Sequence, residues 1–414
     1  MVGLMDCNNF FVSCERVFAP ELRDRPVVVL SNNDGCVVSR SNEAKDLGIP
    51  MGEPFFRLRS LVDQGQLCVR SGNIRFYGDM SRRVMSVAGR LVPRTEVYSI
   101  DECFLDLDGV PEPQALGQRL AATVKQWTGI PVSVGIAPNK TLAKMASRFA
   151  KRYAGYKGCC LIDTEERRLK ALQLTDVGDV WGIGRQLRAR LQGCGVQTAY
   201  DFAQWRESRV RALFAQPAVM TWRELNGQKL HTVETPQARK SLMRSHSFKS
   251  PISDYEHLRA LVADFAVTCA AQLRREHSAA QVVEVYIRTD RHRPDLPQHA
   301  DSISVQLEVA TSDGRELVSA AMQCLERIFK PGYGYKKAGV VLGGLQHGAV
   351  QTNMFDAVDR VQQERLLKAV DEIRNRLGPD AIRVAVQESC GNDTRREYQS
   401  PCYTTDLRDI ITVR

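Results

Sequence analysis

Three carboxylates set the first chemical expectation. Asp6 follows the short apolar run Val2 to Met5 and precedes Phe10 and Phe11. Asp101 and Glu102 sit side by side between two apolar-rich arms, Val97 to Ile100 and Cys103 to Leu107. Neighbouring carboxylates on stiff strands repel each other and are costly to desolvate unless a cation lies between them. Magnesium suits such a place, because it takes carboxylate and phosphate oxygens and keeps some water. An Asp-Glu pair by itself more often marks a solvated acidic turn. The third acid, in like surroundings, shifts the reading towards the donor set of a two-metal phosphoryl-transfer site.

Other residues fit the same chemistry. The run Ser39 to Lys45 begins with capping residues and carries Arg40 and Lys45, a composition that holds a triphosphate or makes a solvated helix face equally well. Phe11 is close enough to Asp6 to wall the same site, although the usual fate of a Phe is the core. Further along, Gly182-Ile183-Gly184 opens a helix beginning at Arg185, so backbone amides can approach a phosphate closely. With the ending Leu191 to Val196 this is the helix-hairpin-helix pattern of sequence-blind duplex binding. Arg244, near His246 and Lys249, suits a strand that tracks a phosphate backbone. Gln351 to Phe355 offers one polar and two apolar anchors, Gln351, Met354 and Phe355, to the groove of a partner.

The acids need strands to hold them. The two arms around Asp101 read as a two-strand ribbon with the acids near its tip, and Asp6 ends a strand that leads into a helix through Asn8 and Asn9. Pro26 to Leu30 and Val132 to Ile136 read as buried strands, and Tyr77 to Leu91, Ala115 to Thr128 and the run from Pro138 to about Lys151 as helices. Such alternation predicts a sheet covered on one face by helices. From Glu165 to Gly227 the pattern is helical and basic. Gln228 to Lys240 is polar and holds Pro236, as a linker would. A second α+β domain follows, with strands at Leu242 to Phe248, Gln281 to Thr289, Ser302 to Leu307 and Ala338 to Leu342, and helices at Tyr255 to Glu276 and Glu316 to Phe329. A further helix spans Val358 to Leu377.

Length and composition bound these readings. A chain of 414 residues exceeds what one core supports and should hold several domains. A net charge of +9 fits a polyanionic partner, though a plain soluble surface carries as much. No run approaches a membrane span and the amino terminus lacks a secretory pattern, so no membrane partner and a cytoplasmic, nucleoid-associated location are expected. Twelve cysteines without paired spacing predict reduced thiols.

Taken in order, the motifs resemble the Y-family DNA polymerases, UmuC type, the catalytic subunit of bacterial DNA polymerase V. The resemblance runs over nearly the whole chain and is carried by Ser31-Asn32-Asn33-Asp34-Gly35-Cys36-Val37, Tyr98-Ser99-Ile100-Asp101-Glu102, Lys140-Thr141-Leu142-Ala143-Lys144, Asp179 to Gly184, and Ser400-Pro401 with Tyr403-Thr404-Thr405. It implies an α+β multidomain right-hand polymerase: palm at 1–18 and 73–164, fingers at 19–72, a helix-hairpin-helix thumb at 165–230, a linker at 231–240, a little finger at 241–345 and a partner-binding tail at 346–414. It implies that Asp6, Asp101 and Glu102 hold two Mg²⁺ with the Cys7 carbonyl. Ser39, Asn42, Lys45 and Lys151 would contact the incoming nucleotide, and Phe11 would exclude a ribose 2′-hydroxyl. Phe11 stands where close relatives usually carry Tyr, and Cys402 where a basic residue is expected. The implied activity is error-prone translesion synthesis in the SOS response on primer-template DNA with dNTPs. Implied partners are a sliding clamp at Gln351, Met354 and Phe355, a UmuD-like processed dimer and a RecA filament. The rival reading is a non-catalytic, clamp-tethered DNA-binding protein whose acids only structure the ribbon.

Overall fold

Val2–Cys7 form the first strand, β1, and the main sheet grows outward from both of its edges. The structure, a computed structural model, describes residues 1–234, 238–348, 356, 358–378, 380–387 and 395–409. It divides into two units, Met1–Gln237 with Glu397–Arg414, and Ala238–Arg396.

In the first unit, Asn9 turns the chain with a left-handed φ of 48°, a conformation Asn tolerates better than most residues, and α1 (Phe10–Phe18) follows. Next come β2 (Val27–Leu30), β3 (Val37–Arg40), α2 (Asn42–Asp46), α3 (Arg59–Asp63) and β4 (Cys68–Ser71). They build a three-stranded sheet in the order β3-β2-β4. After it run α4 (Ile74–Leu91), β5 (Thr95–Val97), β6 (Glu102–Asp106), α5 (Pro113–Thr128), β7 (Val132–Ala137), α6 (Lys140–Arg152) and β8 (Cys159–Leu161). With β1 the strands among these make a five-stranded sheet, β5-β6-β1-β7-β8. The expected ribbon is present as β5 and β6, but its first arm lies earlier in the chain. Thr95 pairs with Leu105 and Val97 with Cys103, which leaves 98–101 as the turn. The Ser99 hydroxyl closes that turn by accepting from the amides of Asp101 (3.2 Å) and Glu102 (3.0 Å).

The sheet is covered on both faces, not on the one face expected. Every residue of β7 is buried. Val134 and Ile136 pack with Leu120 and Val124 of α5 on one side. On the other, Gly135 lies so close to α6 that an added Cβ would stand 2.0 Å from the Ser147 nitrogen. Val2, Leu4 and Phe104 share a cluster with Leu142, Ala143 and Met145 of α6. Even-numbered residues of β1 therefore face α6, and Asp6 is one of them.

Five helices follow: α7 (Glu165–Gln173), α8 (Arg185–Gly193), α9 (Ala199–Ala203), α10 (Glu207–Leu213) and α11 (Gln216–Leu225). The last is fixed to α6 by Glu224, which is 1% exposed and accepts from the Thr141 amide (3.2 Å) and hydroxyl (2.5 Å). The segment 397–409 also belongs to this unit. Its Tyr398 exchanges hydrogen bonds with Ser71 at the end of β4, and Tyr403 stacks on Phe18 with ring centres 4.9 Å apart.

The second unit contains β9 (Leu242–Ile252), α12 (Tyr255–Arg275), β10 (Ser278–Thr289), β11 (Ala300–Thr311), α13 (Gly314–Ile328), β12 (Tyr335–Gly343), β13 (Gln346–His347) and α14 (Arg360–Leu377). Four strands run β11-β10-β12-β9, all antiparallel. The apolar sides of α12 and α13 close their own core against this sheet. The unit also takes in α14, through Arg274 to Asp371 (2.6 Å) and Arg360 to Glu316 (2.7 Å). Among the described residues all cysteines are free thiols, and no helix is long and apolar enough to cross a membrane.

Candidate active site

Strand register brings the acids to one place. Asp6 is the antiparallel partner of Glu102, so both side chains leave the same face of the sheet. The next amide, that of Cys7, donates to the Asp101 carbonyl at 2.9 Å and draws the ribbon tip against the end of β1. Asp101 in turn accepts from the Ser99 hydroxyl at 2.6 Å. Burial pushes the Asp6 carboxyl up to about 6; the Lys151 ammonium beside it works in the opposite direction, and the charges of Glu102 and Asp101 add to the rise. Loss of hydration is the main cause, so the ionised form at this spot depends on its cationic neighbours.

What compensates it comes from α6. Lys140, Lys144 and Lys151 are spaced four and seven residues apart, which places them along one helix face. Lys151 pairs with Asp6, Lys144 with Glu102 at 3.0 Å, and Lys140 with Glu96 at 2.7 Å. Lys144 also lies over the rings of Tyr98 (4.7 Å) and Trp181 (5.5 Å). Of these partners only Lys151 stood out as a site residue in the sequence. The spacing of the other two was the available signal. With the carboxylates engaged by ammonium and hydroxyl groups, no three His, Cys, Asp or Glu among the described residues are gathered as a ready metal cage. The donors nevertheless suit a hard divalent cation: carboxylate oxygens and a nearby main-chain carbonyl.

A cationic cluster adjoins the acids. The Lys45 ammonium donates to Asn9 Oδ1 (2.7 Å) and Asn42 Oδ1 (3.0 Å), and the Asn9 amide donates to Asn42 (3.1 Å). Burial, followed by repulsion from Arg40 and Lys151, holds the Lys45 ammonium below its ordinary range. Lys45 thus feels both of the other cations. Ser39 is placed differently. It is buried in β3 opposite Val29, and the contacts that gather Asn9, Asn42 and Lys45 do not include it. Phe11, half-buried in the first turn of α1, stacks on Tyr77 with centroids 4.5 Å apart and planes at 17°.

The hairpin at Gly182 to Arg185 has the geometry its sequence called for. Ile183 is buried as a plug while Gly182, Gly184 and Arg185 are exposed at the start of α8. Gly182 adopts φ 90°, and a Cβ there would meet the Thr221 hydroxyl at 2.6 Å, so both conformation and space require glycine. Trp181 joins the hairpin to the acidic ribbon through its indole N–H to the Tyr98 hydroxyl, 3.2 Å. Arg244 is exposed on β9, which forms one edge of the second unit's sheet. Gln351, Met354 and Phe355 lie outside the described residues.

Comparison with known proteins identifies the family. Residues 5–148 match the impB/mucB/samB family model, residues 239–354 the C-terminal domain of that family, and residues 364–413 a domain of unknown function, DUF4113. The chain is 39% identical to the protein ImpB and 38% identical to the protein UmuC, both of Salmonella typhimurium, with all of each chain covered. A solved Y-family DNA polymerase chimera superposes with a TM-score of 0.67 over 84% of this chain and 99% of its own, at 20% identity. The chain belongs to the impB/mucB/samB family, the UmuC type of Y-family DNA polymerase.

Proposed function

We propose that the protein is an error-prone, DNA-templated DNA polymerase that carries out translesion synthesis in the SOS response. One observation carries the chemical part of this reading: Asp6 faces Glu102 across β1 and β6, with Asp101 beside them and the cations Arg40, Lys45 and Lys151 adjoining. Acids and cations side by side are what transfer of a nucleotidyl group needs. The primer 3′-oxygen would attack the α-phosphorus, and pyrophosphate would leave carrying charge that Lys45, Lys151 and Arg40 would receive. Asp6, Asp101, Glu102 and the Cys7 carbonyl would hold two Mg²⁺, which supply Lewis-acid stabilisation when bound. Lys151 pairs with Asp6 in the free protein and would pass to the triphosphate, releasing the carboxylate. Asn42 would orient the same phosphates through Lys45, and Phe11 would wall the sugar. Ser39 would act from within β3 by shaping the backbone beneath them.

In this reading the five-stranded sheet is the palm, the three-stranded sheet the fingers, α7 to α11 the thumb and the second unit's sheet the little finger. Gly182, Gly184 and Arg185 would grip duplex phosphates, and Arg244 would contact a phosphate backbone. Gln351, Met354 and Phe355 would engage a sliding clamp, and a UmuD-like processed dimer and a RecA filament would complete the working assembly. Primer extension with Mg²⁺ tests the core of this. Asp101→Asn should slow extension by roughly a thousandfold or more while primer-template binding persists. Equal extension by both proteins would remove the catalytic claim and leave a DNA-binding protein. Deleting 351–355 should abolish stimulation by the clamp, with clamp-free extension as the control.

A further inference from the structure

The segment 397–405 is tied to the wall of the nucleotide site by a continuous set of contacts. Glu15, on α1, is fully buried. It lies one helical turn beyond Phe11 and so on the same face of α1. Its Oε1 accepts two hydrogen bonds, from the Tyr77 hydroxyl at 2.6 Å and from the Ser400 hydroxyl at 2.9 Å. Its Oε2 has no hydrogen-bond partner, and the Arg70 guanidinium stands 3.9 Å away. A buried carboxylate so sparsely satisfied depends strongly on each donor it has. Tyr77 is held at both ends, its hydroxyl by Glu15 and its ring by Phe11.

The same segment also fastens the helix that carries Tyr77. Asn73, which caps α4, donates from its side chain to the carbonyls of Ser400 (3.2 Å) and Pro401 (3.3 Å). Tyr403 stacks on Phe18 at the end of α1 and meets Phe76 of α4 edge-on, ring centres 5.6 Å apart. The strap therefore joins α1 to α4 at the level of the Phe11–Tyr77 stack.

We propose that Ser400 and Glu15 are positioning residues for sugar selection: through Tyr77 they hold the Phe11 ring at the place where it meets the incoming nucleotide's ribose. This rests on the polymerase reading and on Phe11 as the sugar wall. A ring backed by a fixed neighbour cannot retreat from an extra hydroxyl, whereas one backed by a loosened tyrosine can. The strap then contributes to specificity without touching substrate.

Single-nucleotide incorporation by the full chain, with matched deoxy- and ribonucleotides, tests it. Ser400→Ala should raise kcat/KM for the ribonucleotide relative to the deoxynucleotide by about threefold to tenfold, in line with loss of one hydrogen bond to a buried charge. Tyr77→Phe removes the other donor to the same oxygen and should shift the ratio in the same direction. In a Phe11→Ala background Ser400→Ala should change the ratio no further. A strap of structural value only would lower both rates in parallel and leave the ratio as it was. An unchanged ratio in Ser400→Ala overturns the proposal; should that variant not fold, an unchanged ratio in Tyr77→Phe does so. Absence of any extension by the unaltered protein would instead overturn the polymerase reading.

Discussion

Asp6 is the residue on which acid–base behaviour turns. In the free protein its carboxyl is pushed from 3.8 up to about 6, chiefly by burial. A carboxyl raised in the folded state favours folding when protonated, so its contribution is complete below the ordinary value and is lost as pH rises through about 6. Divalent cations need the ionised form. Affinity for Mn²⁺ as a probe should therefore climb between roughly pH 5 and pH 7 and level off above, while Asp6→Asn should weaken binding and flatten that climb. Titration of the free protein with Mn²⁺ across that range checks both outcomes. The three acids were legible in the sequence because each sits against an apolar strand, where a carboxylate is out of place without a reason. Lys144 was less legible. Its partner Glu102 lies on another element; the motif Lys140 to Lys144 marked the residue without a role, and the spacing of Lys140, Lys144 and Lys151 fits a shared face. Glu15 and Ser400 left almost no trace, being 385 residues apart and joined solely by folding.

At the scale of elements, the seat of α6 on β7 decides where its lysines fall. Gly135 allows that approach, since a Cβ would stand 2.0 Å from the Ser147 nitrogen and 2.2 Å from the Ala143 carbonyl oxygen. These are backbone atoms and cannot swing away. Gly135→Ala should cost about 3 kcal/mol or more and weaken nucleotide binding as well, because the lysines move with the helix. Thermal unfolding alongside dNTP titration separates the two effects. The expectation of one covered face failed at this contact. Val132, Val134 and Ile136 are large apolar residues on one side of the strand, whereas Ser133, Gly135 and Ala137 on the other are small and carry little apolar signal. Small residues there mean close packing instead. The Gly-Ile-Gly hairpin was readable for the converse reason: a local turn needs its glycines whatever surrounds them.

On the scale of the whole molecule, the two units have separate cores, one built on β1 and α6 and the other on α12 and α13 against β10. Urea unfolding should accordingly show two transitions, and Ser400→Ala should shift only the one belonging to the first unit, by about 1–2 kcal/mol. Fluorescence from the four tryptophans, Trp127, Trp181, Trp205 and Trp222, reports on that unit alone, since all lie within it. The strands and helices of both units were legible where each segment has its own periodicity; the destination of 397–409 was not, since a short polar segment carries no period to read. That destination sets an order of events during synthesis. The strap leaves the ribosome only after all of Ala238–Arg396, a delay on the order of ten seconds at usual elongation rates. Until then a nascent chain would have to assemble its acids, lysines and Phe11–Tyr77 stack without the clasp that secures them. A message broken or misread late would thus release a polymerase that still looks whole at its catalytic end but is careless about which sugar it accepts.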